Sequence, residues 1–176
     1  MYFCGFKYMK TFRQILLPAV AVGVFSISAS AQASLPSIQG GNIDVQAQKG
    51  KVVILAYGAS WLPLSDKQAD YTNALAKKYS GKNVAVYFVA TDSTNPKSKN
   101  FATNDRLAKF ANETNLKVPI LRDSEGLLTL KKLGIDQLPS FVVLDKSGAR
   151  SGAIFGGIDP KFDITITISK KVDSLL

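Results

Sequence analysis

Histidine is absent from this chain, cysteine occurs once, as Cys4, and methionine twice, as Met1 and Met9. Beyond residue 9 there is therefore no thiol, imidazole or thioether. That excludes an internal disulfide, a thiolate nucleophile, iron–sulfur ligation and soft-metal sites in the rest of the chain. Carboxylates alone could still hold calcium, but no D-x-D-x-D-G loop occurs. No apolar run spans a bilayer comfortably. Basic residues outnumber acidic ones, 22 to 13, for a net charge of +9. Yet the Lys and Arg are scattered, with nothing longer than pairs such as Lys77-Lys78. Without a basic stripe interleaved with aromatics, the sequence does not read as a nucleic-acid binder. No motif implies a cofactor or a metal.

What is present begins with an export pattern. Residues 9–33, MKTFRQILLPAVAVGVFSISASAQA, combine a basic start, an apolar run from Ile15 to Phe25 and a small-residue ending. Ala31-Gln32-Ala33 fits an A-x-A cleavage site, so cleavage is expected after Ala33, with Met9 an alternative start to Met1. The competing reading is a buried N-terminal helix. Removal of residues 1–33 takes Lys7, Lys10 and Arg13 with it and lowers the net charge from +9 to +6. The expected location is the periplasm or the secreted fraction, an oxidising setting in which this chain keeps no disulfide.

The remaining chain is one domain's worth. Residues 34–50 read as an irregular arm or weak hairpin, and 51–176 as the folded domain. KVVILAY, 51–57, and NVAVYFVA, 83–90, are nearly continuous apolar runs, the pattern of strands covered on both faces. Between them Asp66 to Tyr79 carries Tyr71, Ala74, Leu75 and Tyr79 at helical spacing, with Gly81 just beyond. A polar loop, 91–100, leads to a helix over 105–115, and Val118 to Leu121 reads as a short strand or extended link. A helix capped by Asp123 or Ser124 is expected to run to Leu133 and end at Gly134. SFVVLD is a third core strand, and SGAIFGG its hairpin partner. In the tail, FDITITI alternates like a strand, but the four-residue steps Ile164–Ile168–Val172–Leu176 after Asp159-Pro160 favour a helix. Strand–helix–strand followed by a hairpin gives a mixed α/β sheet with a right-handed crossover.

Two segments carry a resemblance. KVVILAYGASWLPLS is similar to the strand that leads into W-C-x-x-C in secreted TlpA-like thiol–disulfide oxidoreductases. LGIDQLPSFVVLDKSGAR is similar to the same family's cis-proline segment. Together they run from about Lys51 to Asp159 and imply a thioredoxin-like mixed sheet with helices on both faces. The resemblance places Trp61 on the family's tryptophan, Leu62 on its attacking cysteine, Pro63 and Leu64 on the variable pair, and Ser65 on its resolving cysteine. Pro139 falls on the cis proline, after Leu138, whose backbone would pair with a bound peptide. Ala56 stands where thioredoxin itself has a buried aspartate.

The chemistry has therefore left this loop. Leu62 has nothing to ionise, and disulfide exchange needs a thiolate. Ser65 has no histidine to act as its base. Ser65-Asp66-Lys67-Gln68 reads instead as an S-x-x-Q capping box for the helix that follows. Trp61, Leu62, Leu64, Leu138 and Pro139 would make an apolar patch that binds an exported protein or peptide without covalent chemistry. The alternatives are a non-catalytic accessory subunit of a thiol–disulfide system, a purely structural module with Leu62 and Leu64 in the core, and an enzyme using Asp92, Asp123 or Asp145. Those three aspartates fit turn and capping roles better than acid–base ones.

Overall fold

The computed structural model describes residues 1–2, 34–159 and 161–176. The expected leader, the start at Met9 and the cleavage point after Ala33 lie outside the described residues, as does Pro160. From Ser34 the elements are β1 (Ser34–Pro36), β2 (Asn42–Asp44), β3 (Val52–Gly58), α1 (Ser65–Lys78), β4 (Val84–Ala90), α2 (Asn104–Glu113), β5 (Ile120–Arg122), β6 (Ser140–Leu144), β7 (Phe155–Gly156) and α3 (Ile164–Asp173).

The long apolar runs form the centre of a five-stranded sheet ordered β5-β4-β3-β6-β7. Strand β3 pairs parallel with β4, and β4 with β5, while β6 and β7 run antiparallel. All seven residues of β3 are buried, which is why its sequence does not alternate in polarity. Successive side chains go to opposite faces. Val52, Ile54 and Ala56 join a core built with Leu75 of α1, Phe110 of α2 and Ile168 of α3. Val53, Leu55 and Tyr57 face the other way, into a second core with Leu35, Leu121, Leu133 and Ile135. The thioredoxin-like mixed sheet expected from the sequence is thus observed, with helices on both faces. The second face, however, carries only a 3-10 helix, Ser124–Gly126, its trailing turns and the N-terminal hairpin.

That 3-10 helix corrects one expectation. No α-helix runs from 124 to 133. Glu125 and Gly126 adopt left-handed φ values of 56° and 68°, and the segment continues as turns to Gly134. A side chain at Gly126 would meet Leu130, whose Cβ lies 2.8 Å from where the added carbon would sit. The tail is helical, as its four-residue steps indicate. Asp163 caps it by accepting from the Thr165 N–H, and Ile164, Ile168 and Val172 are buried on one face. The 34–50 segment is a hairpin, and SGAIFGG contributes only Phe155–Gly156 to the sheet.

Candidate functional site

The loop between β3 and α1 sits at the C-terminal end of the central strand. Its backbone is tied by the Leu62 N–H donating to the Ala59 carbonyl and the Ser65 N–H donating to the Leu62 carbonyl. The Ser65 hydroxyl reaches back to the same two carbonyls, at 2.8 Å from Ala59 O and 2.5 Å from Leu62 O. Ser60 is fixed from the other side: its N–H and hydroxyl both donate to the carboxylate of Asp92, the latter at 2.6 Å.

The capping box is therefore corrected. The N-cap of α1 is Leu64, in the left-handed region at φ 67°, with no side-chain cap. Ser65 is already helical, and its hydroxyl is spent on the loop rather than on the helix N–H groups. Gln68 is fully buried and turns into the sheet, donating to the carbonyls of Tyr57 and Ser140. It bridges β3 to β6 directly beneath the loop. A Cβ at Gly58 would come 2.2 Å from Gln68 Oε1, so only glycine leaves room for this bridge.

The residues singled out by sequence separate into two groups. Trp61, Leu62 and Leu138 line one cleft of about 510 Å³. Trp61 is 47 % exposed there, while Leu62 and Leu138 are half-buried. Leu64 does not line the cleft; it is half-buried against the core beneath α1. Pro63 is exposed, and Ser65 is buried. The Leu138–Pro139 peptide bond is cis, and among the described residues neither the N–H nor the carbonyl of Leu138 has a backbone partner. Gln137, one residue earlier, packs over Gly156, where an added Cβ would lie 2.0 Å from its amide nitrogen.

The opposite wall comes from residues that sequence reasoning passed over: Glu125, Leu130, Ile135 and Asp136. Glu125 and Leu130 belong to the segment expected as a helix, Ile135 and Asp136 follow just beyond Gly134, and no spacing marks any of them as neighbours of Trp61. A single carboxylate braces the turn within this wall. Asp123, fully buried, accepts from the N–H groups of Leu128, Thr129 and Leu130 and from the Thr129 hydroxyl, all at 2.7–2.9 Å. The Thr129 hydroxyl also meets the Tyr57 hydroxyl at 2.7 Å. Burial pushes the Tyr57 phenol well above its ordinary range; the Thr129 bond opposes that rise, and the charge of Asp123 adds to it.

Asp92, Asp123 and Asp145 all act as capping and bridging groups. Asp92 holds Ser60, Asp123 holds the turn, and Asp145 accepts from the Ser147 N–H and hydroxyl. Arg122 packs behind Asp92, donating to the carbonyl of Ala102 at 2.7 Å and to Asn104 Oδ1 at 2.8 Å. Burial lowers its pKa from the ordinary arginine value, and the charge of Asp92 works against that lowering. Among the described residues no three His, Cys, Asp or Glu side chains converge as a metal site, and no helix is long and apolar enough to cross a membrane.

Known structures place this geometry. A thiol:disulfide interchange protein of the DsbE type from Chlorobium tepidum superposes with a TM-score of 0.66 at 20% identity, over 82% of this chain and 94% of that one. A secreted disulfide oxidoreductase of Mycobacterium tuberculosis gives 0.61 at 18% identity, covering 81% and 95%. An exposed lipoprotein thioredoxin of Streptococcus pneumoniae gives 0.61 at 25% identity, covering 80% and 99%. A search of curated proteins finds no match. The model of the AhpC/TSA family matches residues 28–149, more than half of the chain and all of the cleft. Cys4 lies ahead of that match, so the matched region holds no cysteine with which to exchange a disulfide. This chain belongs to the AhpC/TSA family, in a thioredoxin-like form from which the redox pair is missing.

Proposed function

We propose that this protein binds an extended peptide or protein segment non-covalently in the cleft between the Trp61 loop and the Leu138–Pro139 segment, and carries out no thiol–disulfide exchange. The observation that carries this reading is the combination of a half-exposed Trp61 with the unpaired backbone of Leu138 in one cleft. An unpaired extended backbone accepts a partner strand through main-chain hydrogen bonds, and adjoining pockets take its side chains. Trp61, Leu62 and Leu138 are the contact residues, with Pro139 setting the edge. The export pattern of residues 9–33, together with the secreted and exposed relatives in structure, supports a role in the periplasm or outside the cell. N-terminal sequencing of the protein recovered from that fraction should begin at Ser34.

Trp61 is the only tryptophan in the chain, so its emission reports on this cleft. Titration with reduced, carboxamidomethylated ribonuclease A, an unfolded polypeptide without tryptophan, should give a saturable change in that emission. In parallel, dithiothreitol-driven reduction of insulin should run no faster with the protein than without it. An emission that stays flat up to millimolar polypeptide argues for the structural-module reading. Insulin turnover proportional to protein concentration would remove the redox-inactive part.

A further inference from the structure

The ionisable residues of the cleft have one sign. Glu125 and Asp136 line it, and no lysine or arginine does, although the chain as a whole carries +9. Neither carboxylate is consumed by the fold. Among the described residues Asp136 makes no hydrogen bond or ion pair. Glu125 accepts only from the Ser93 hydroxyl, at 2.8 Å through Oε1, which leaves Oε2 open. The Glu125 N–H donates to the Thr91 carbonyl at 3.0 Å, so its place on the wall is fixed from both ends. Beside these carboxylates Trp61, Leu62, Leu130 and Leu138 supply apolar lining, and the other polar lining, Asn100 and Gln137 included, is uncharged.

Resting on the peptide-binding reading, we propose that the occupant is a polypeptide segment in which a lysine or arginine adjoins an apolar residue. The cation faces Glu125 and Asp136, and its neighbour packs against Leu62 and Leu138. An anionic segment would bring like charge to a cleft with no counter-charge of its own, which selects against it. The indole of Trp61 adds a surface on which an alkylammonium or guanidinium group is favourably placed. The positive net charge of the chain opposes this preference, so a preference for cations has to come from the cleft.

Three capped peptides, Ser-Leu-Val-X-Leu-Ser-Gly with X lysine, norleucine or glutamate, test this by Trp61 emission on the full chain at low ionic strength. The expected affinity order is lysine, norleucine, glutamate, with about tenfold between the extremes and a spread that narrows as salt is added. Combining Glu125→Gln with Asp136→Asn should erase the order. Combining Asp70→Asn with Asp105→Asn, the same charge change at exposed positions on α1 and α2, should preserve it. Equal binding of the three peptides overturns the cationic preference and leaves the peptide-binding reading standing. Binding of none overturns both. Loss of the order in the Asp70/Asp105 variant as well would assign it to overall charge and overturn the proposal.

Discussion

The two walls of the cleft are held by different means. The Trp61 wall is tied by its own backbone, by the Ser65 hydroxyl and by the links from Ser60 to the buried Asp92 carboxylate, with Leu64 as its apolar anchor in the core. The Glu125–Asp136 wall is centred on one buried carboxylate, Asp123, that satisfies three N–H groups and a hydroxyl at once, with the Glu125 and Ile135 N–H groups tied separately to Thr91 and Leu130. A wall tied by carbonyls and hydroxyls tolerates replacement of its outward side chains, since none of those ties involves them. Leucine can therefore stand at position 62 without a change of fold, whereas Ser65 is itself one of the ties. A turn whose donors converge on one acid has less latitude.

Asp123→Ala should therefore be the most damaging single change. It takes the acceptor from four donors, the two on Thr129 buried, and should cost about 3–5 kcal/mol in urea denaturation, with a destabilised second wall. Leu64→Asp comes next. It places a charge against the core beneath α1 and should lower stability by about 2–3 kcal/mol, or roughly 4–12 °C in Tm. Aspartate tolerates the left-handed backbone better than leucine, which trims the loss. Leu62→Asp, two residues away on the cleft side, should cost under about 0.5 kcal/mol while weakening binding of unfolded polypeptide. Equal melting of the two leucine variants would dissolve the distinction between anchor and lining.

Tyr57→Phe probes where the two walls meet. It removes the hydroxyl contact with Thr129 and should cost about 1 kcal/mol near neutral pH. The phenol is held protonated in the fold, whereas the unfolded chain releases its proton near pH 10. Its contribution is thus fully present below about pH 10 and declines above it, because the folded state then binds more protons than the unfolded one. Denaturation series from pH 7 to 11 should show the deficit of the phenylalanine variant shrinking at the alkaline end. A constant deficit would mean that Tyr57 is less shielded than its burial implies.

Much of the sheet was readable in advance because burial leaves a mark on composition. KVVILAY is apolar without alternation because both faces of β3 are covered, and NVAVYFVA follows it in β4, fully buried over its last three residues and half-buried before them. The loss of the thiols was equally plain, being a matter of which letters are present. The capping box failed because S-x-x-Q states only a spacing. One residue of displacement in the helix start hands Ser65 to the loop and Gln68 to the sheet. The 124–134 turn failed for a different reason. Its apolar spacing suits a helix, but Asp123 collects the N–H groups that the helix would have used, and Glu125 and Gly126 turn left-handed. The acidic lining was illegible for the same reason, since Glu125 and Asp136 meet Trp61 only through that turn. Leu64 was misplaced on the patch because exposure cannot be told from a loop letter alone.

The N-terminal hairpin has a consequence for colloidal behaviour. β5 forms one margin of the sheet, and its outer side would otherwise present unpaired amides to any passing strand. Ser37 bridges to Leu121, and the Ile38 N–H donates to the Ile120 carbonyl, so the chain lays its own first residues along that margin. The other margin, β7, is two residues long, too short to template a second sheet. Both sheet edges are thereby withheld from passing strands, and concentrated solutions should resist fibril growth for as long as residues 34–44 stay attached.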